Sequence, residues 1–269
     1  MIIFSTTVAI TIYVNSDTTM LGILKGNYDV GLYSTSVKIY TLVKKVLVAI
    51  LTVMIPRFSL MLNTDNLKSA RDFFNDVFNV LTMFLMPMSV GLFMVSNSLI
   101  CALFGNEYIG ATVSLRILSI ASIFSLYAYM YTQCVLIPIK KESVVFKATL
   151  ISAIANVVLN FAFIPLIGID GAATTTLISE IIVFIIVLKE GANTIGVGSF
   201  WENNSSVIIG CVGIVIACQL ISFFKLNSFL TLVLDIALSM IAYFVLLLFL
   251  KNKIVINGLN KIMRRIKTS

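Results

Sequence analysis

Residues 143–188 read SVVFKATLISAIANVVLNFAFIPLIGIDGAATTTLISEIIVFIIVL. Two apolar stretches, 143–164 and 171–188, flank a short segment that holds Pro165, Gly168 and Asp170. Each stretch is close to the roughly 20 residues that an α-helix needs to cross the hydrocarbon of a bilayer. Two helices joined by so short a turn must lie antiparallel. Strands of a membrane barrel would alternate in polarity over about 10 residues, and this stretch does not. The same pattern recurs on both sides, with further spans expected at 2–24, 30–56, 77–97, 113–137, 207–224 and 229–250. The reading is an all-α integral membrane protein of about eight transmembrane helices.

Composition agrees. Of the 269 residues, 59% are hydrophobic and 12% charged, and the mean hydropathy is +1.05, far from the range of soluble domains. The net charge of +7 is explained by where the basic residues fall. Thirteen lie on one side of the expected membrane (Arg57, Lys68, Arg71, Lys140, Lys141, Lys147, Lys189 and the six from Lys251 to Lys267), against Lys25, Arg116 and Lys225 on the other. Such a bias places the rich side, and with it both termini, in the cytoplasm. Nucleic acid is not expected as a partner. Histidine is absent, which removes His-based nucleophile pairs, metal sites and proton relays. The four cysteines lie inside apolar segments without metal or redox spacing. No catalytic constellation, cofactor or metal site is expected, and the opening Met1-Ile2-Ile3-Phe4 lacks the basic start of a signal peptide.

Three segments follow: six helices over 1–190, an accessory pair of helices over 191–250, and a basic cytoplasmic tail over 251–269. Residues 63–76 alternate Lys68, Arg71 and Asp72 with Leu67, Phe73 and Phe74, the pattern of an interfacial amphipathic helix, and 190–206 reads as a flexible linker.

Ionisable groups inside spans are the first candidates for function, since burying them costs several kcal/mol. Ser34, Lys38, Thr41, Lys45 and Thr52 share one helical stripe. Two uses fit it: a cationic cavity wall that attracts phosphate or pyrophosphate, or lysines, including Lys44, that snorkel or pair with Asp17 or Glu180. Thr7, Thr11, Asn15 and Thr18 form a polar stripe beside Asp17, a candidate for a structural pair or a coupling cation. Ser152, Asn156 and Asn160 stack on one face, fitting interhelical hydrogen bonds or contacts to sugar hydroxyls. Glu180 falls near the bilayer centre, where it suits either a structural carboxyl or proton coupling. Tyr127, Tyr129 and Tyr131 suit sugar stacking or plain packing, and Arg116 and Asp235 fall near the outer surface.

Several loose motifs occur in a telling order: Asp17-Thr18-Thr19-Met20-Leu21-Gly22, Val30-Gly31-Leu32-Tyr33-Ser34, Leu103-Phe104-Gly105-Asn106-Glu107-Tyr108, Leu115-Arg116-Ile117-Leu118-Ser119, and Asn156 to Asn160 leading into 164–173. With these the chain resembles the polysaccharide (O-antigen, Wzx-type) flippases of the multidrug/oligosaccharidyl-lipid/polysaccharide exporter superfamily. Members are about twice this length, with two six-helix lobes around a cavity, so the resemblance implies the second lobe plus two terminal helices. It further implies flipping of an undecaprenyl-pyrophosphate-linked oligosaccharide across the bacterial cytoplasmic membrane for O-antigen, capsule or lipopolysaccharide synthesis. Lys38, Lys45, Asn156 and Asn160 would bind pyrophosphate and sugar, and Asp17 and Glu180 would couple an ion. Partners would be the lipid-linked oligosaccharide, membrane lipid, and a separate first lobe or a second copy. The rivals are a cation antiporter of the same superfamily, which would want an acidic cavity, a membrane glycosyltransferase, which would want a large polar loop, and a non-functional structural fragment.

Overall fold

The computed structural model describes residues 16–62, 67–196, 198, 200–224, 226–252 and 254–256. Residues 16–24 form α1, followed by α2 (Asn27–Leu62), α3 (Leu67–Phe104), α4 (Ala111–Tyr131), α5 (Glu142–Ile167), α6 (Ile169–Ala192), α7 (Phe200–Ser222) and α8 (Ser228–Phe249). Among the described residues there is no strand, and seven helices, α2 to α8, are long and apolar enough to cross a membrane. The chain is an all-α, multi-pass membrane protein. The expected first span is represented by α1, and Thr7, Thr11 and Asn15 lie outside the described residues.

The helices alternate in direction, so Lys25, Gly105 and Gly168 gather at one end of the bundle and Arg57, Lys141 and Lys189 at the other. Hydrogen bonds tie each end. Lys25 Nζ donates to the Pro165 carbonyl (3.0 Å) and the Tyr28 hydroxyl to that of Glu107 (3.2 Å), while Lys141 pairs with Glu190 at the opposite end. Helix α4 is the centre, packing against α2, α3 and α6, and α5 covers α6. Helices α7 and α8 pack on one another and on α3.

Two connections expected from the sequence are partly taken up by the long helices. The segment read as an interfacial helix is, from Leu67 onward, the first turns of α3. Ala70 and Phe74 turn inward: both are fully buried, with the Phe74 ring 5.6 Å from Phe58 and 5.1 Å from Tyr131. Burial of that face in the bundle outweighs its amphipathic appearance. The linker expected over 190–206 is short, because α6 runs to Ala192 and α7 starts at Phe200. Asn75 holds the intervening loop by accepting from the Gly198 amide at 2.9 Å, and Asn204 of α7 donates to Asn79 of α3 at 3.0 Å.

The α5–α6 hairpin depends on two glycines. Gly168 sits at φ 61°, ψ −133°, a conformation open to glycine alone, and it ends one helix while starting the next. Gly171 lies in the first turn of α6, where a Cβ would fall on the backbone carbonyl of Phe163. The two helices therefore approach to backbone contact, as small residues allow in membrane bundles. Gly171→Ala is expected to lower stability by about 1–3 kcal/mol, because backbone cannot yield as a side chain can. Gly31→Ala, with open space around the new methyl, should leave it within about 0.5 kcal/mol. Thermal unfolding of the purified variants checks the difference.

Candidate functional site

A polar seam runs along the packed helices from the Gly168 end inward. It begins where the Ser114 hydroxyl of α4 donates to Asp170 of α6 at 2.7 Å. One to two turns further on lies Asp17, whose side chain is buried with the residue 4% exposed. Its Oδ1 accepts from Asn160 Nδ2 at 2.6 Å, and its Oδ2 from the hydroxyls of Thr176 at 2.6 Å and Tyr33 at 2.9 Å. These donors come from α5, α6 and α2, so one carboxylate joins four helices. A second layer closes around them. Thr175 donates to Asn160 Oδ1 at 2.5 Å, and Asn156 Oδ1 accepts from Asn160 Nδ2 and Ser16 Oγ, both at 3.1 Å. Ser152 extends the α5 stripe by donating to the Ser179 carbonyl at 3.0 Å.

One turn beyond Thr176 on α6 is Glu180. Its Oε1 accepts from Lys44 Nζ at 3.2 Å and from the Tyr40 hydroxyl at 3.1 Å, and Lys44 also reaches that hydroxyl at 3.1 Å. The ammonium lies 5.1 Å from the Tyr40 ring centroid. A partly buried ion pair is sustained when such added hydrogen bonds satisfy both partners. Of the α2 lysines, Lys44 is therefore the one with a carboxylate.

The other two lie elsewhere. Lys38 and Lys45 are exposed, and neither has a partner among the described residues. They share the outward face of α2 with Leu42, Ala49 and Thr52, all exposed as well. The inward face carries Tyr33, Ser36, Tyr40, Leu47 and Leu51, all buried. The structure thus brings Asp17, Asn156 and Asn160 together in one node and Glu180 with Lys44 in the next. It does not bring Asn156 and Asn160, fully buried, to the face that bears Lys38 and Lys45.

Tyr33, Tyr40, Thr175 and Thr176 are site residues that the polar-stripe reading passed over. Tyr33, Tyr40 and Lys44 recur at intervals of seven and four, a helical signal that was available. For the threonines, only the fold reveals which of three consecutive ones faces Asp17. Two tyrosines considered for sugar stacking are packed inside. Tyr127 stacks on Phe78 with its hydroxyl 2.8 Å from Thr82, and Tyr131 is 1% exposed against Phe74 and Gly191.

Three comparisons bear on this arrangement. Residues 1–114 match the family described as polysaccharide biosynthesis protein. No curated protein matches the chain. Among solved structures, the fold matches that of lipid II flippase MurJ in its inward closed conformation, with a TM-score of 0.77 and 19% identity. The match covers 93% of this chain and 53% of the other, so the chain spans about half the length of the flippase it resembles. At that identity the likeness is one of fold. The family match thus covers residues 1–114, while the structural likeness extends over nearly the whole chain.

Proposed function

We propose that this chain is a six-helix lobe, with an accessory helix pair, of a transporter that flips an undecaprenyl-pyrophosphate-linked oligosaccharide from the cytoplasmic to the outer leaflet of the bacterial cytoplasmic membrane. The observation that carries this reading is the outward face of α2. Lys38 and Lys45 lie 11 and 18 residues into the helix, about 16 and 27 Å from its start, at the depth of the hydrocarbon core. Ammonium groups at that depth mark a water-filled path or an anionic ligand. Lysine suits the pyrophosphate as a mobile point charge, and the intervening Leu42 and Ala49 suit the lipid tail.

The face needs an opposing wall to form a cavity. We assign that wall to a facing six-helix lobe, whether from the same polypeptide, a separate chain or a second copy. The basic-residue bias supports an orientation with the Arg57 and Lys189 end in the cytoplasm. The product would feed surface polysaccharide synthesis such as O-antigen, capsule or lipopolysaccharide. A cation antiporter fits less well, because the exposed charges at membrane depth on α2 are positive.

The buried node around Asp17 is the proposed coupling site. A carboxylate held by α1, α2, α5 and α6 changes its hold on all four when a proton or sodium ion compensates its charge. Asn156 and Asn160 support the carboxylate in this scheme, and Glu180 with Lys44 locks α2 to α6 in the adjacent layer.

Two outcomes test the scheme. In cells that depend on this chain for surface polysaccharide, the double change Lys38→Ala and Lys45→Ala is expected to cut export of lipid-linked sugar by about tenfold or more, the scale of lost charge-assisted phosphate contacts. Ile154→Ala, at an exposed position of α5 away from that face, should leave export near the native level. Unchanged export by the double variant at native protein abundance would sink the phosphate assignment. Separately, Asp17→Asn keeps the shape of the side chain and removes its charge, so translocation in proteoliposomes should lose its dependence on an imposed sodium or proton gradient. Retained gradient dependence would exclude Asp17 as the coupling group.

A further inference from the structure

Arg116 of α4 belongs to neither node and does not face the α2 stripe. It lies five residues after Ala111, about 7.5 Å into the helix. The guanidinium stacks against Phe93 of α3, its Cζ 5.5 Å from the ring centroid. Its Nε is buried without a hydrogen-bond partner, and neither ion pair among the described residues includes it. An arginine that is only partly exposed, with neither carboxylate nor carbonyl partner among the described residues, is stabilised by an anion that compensates it. The stack on Phe93 covers one face of the guanidinium plane and leaves the edge N–H groups as donors in a fork that fits phosphate oxygens.

A second donor lies one turn along α3. Asn97, four residues after Phe93, is on the same helical face and exposed. Its Oδ1 takes a long contact of 3.8 Å from the Cys101 thiol, which leaves its amide N–H groups for another acceptor. Around these two donors the outer surfaces of α3 and α4 are apolar, with Leu103, Phe104, Val113 and Ile120 exposed. Anion donors set among exposed apolar side chains near a helix end have the chemistry of a headgroup site with acyl chains alongside.

We propose that Phe93, Asn97 and Arg116 form a binding site for the phosphate of an anionic phospholipid in the crevice between α3 and α4. The site is separate from the proposed substrate face on α2, and the bound lipid is a resident of the lobe rather than cargo. Its role is to neutralise Arg116 and to seal α3 against α4 at the Gly105 end.

Titration of the purified full chain in a non-ionic detergent with phosphatidylglycerol, read by native mass spectrometry, tests this without reference to transport. The native chain is expected to retain one phosphatidylglycerol, bound at least about threefold better than phosphatidylcholine. Arg116→Met should weaken it about tenfold, Asn97→Leu about threefold, and Arg116→Lys by an intermediate factor, as the loss of forked and single donors implies. Equal retention by Arg116→Met and the native chain would overturn the proposal. Full displacement of the lipid by inorganic phosphate would also overturn it, assigning the site to a free anion. Should Arg116→Met not fold, Asn97→Leu decides: it alters an exposed position, and native retention by that variant counts against the site.

Discussion

A carboxylate placed among apolar helices has no water to solvate it, and the arrangement of this bundle follows from how Asp17 is satisfied. Its two oxygens take three short hydrogen bonds from three other helices. Charge-assisted bonds of that kind are among the stronger ones available to a protein, and removing one partner would leave a buried charge that costs far more than the bond contributed. The register of α1 against α2, α5 and α6 is held by that requirement. Apolar packing alone would tolerate sliding by a turn, since lipid and leucine are equally good neighbours for an apolar surface.

Helix α2 meets two opposite demands. Inward, Tyr33, Tyr40 and Lys44 each complete a polar contact with α1 or α6, and the aliphatic residues between them fill the core. Outward, Lys38 and Lys45 are exposed and have no partner among the described residues. Glu180 matches one α2 lysine inside the bundle; under the proposed function the other two need a compensating partner outside the described residues. The facing lobe and phosphate-bearing cargo proposed above meet that need in one arrangement.

Helix α3 performs a different task, linking the lobe to the terminal helix pair. Toward α4 it offers paired hydroxyls, Ser89 with Ser122 and Thr82 with Tyr127, each at 2.8 Å. Toward α7 and α8 it offers methionines and valines, Met83, Val95 and their neighbours, together with the Met83 carbonyl that accepts from Tyr243 at 2.7 Å. On α7, Gly210 leaves room for the Tyr243 ring. The pair therefore docks through an adaptable apolar surface with polar anchors at the Met83 carbonyl and Asn79, whereas the hydrogen bonds of α1 to α6 run deep into their packing.

Much of this fold was legible in the sequence, because a bilayer imposes a length and a polarity that leave little choice. The spans read at 30–56, 113–137, 143–164 and 229–250 lie within a few residues of α2, α4, α5 and α8. Gly168 marks the hairpin that the opening stretch implied. The stripe of Ser34, Lys38, Thr41 and Lys45 was visible as a helical face, as was the stack of Ser152, Asn156 and Asn160. Within 63–76 and 190–206 the described residues depart from the reading, because local composition does not reveal that Phe74 and Asn204 have partners on other helices. What the sequence by itself determined is the apolar surroundings, the helical spans and which residues share a face. What only the tertiary structure decided is which faces meet: that Asp17 is held by Asn160 and Thr176, that Glu180 takes Lys44 and not Lys38 or Lys45, and that Arg116 lies against Phe93. Helical periodicity fixes angles within one segment, but the rotation of one helix against another is set by packing among residues more than a hundred positions apart.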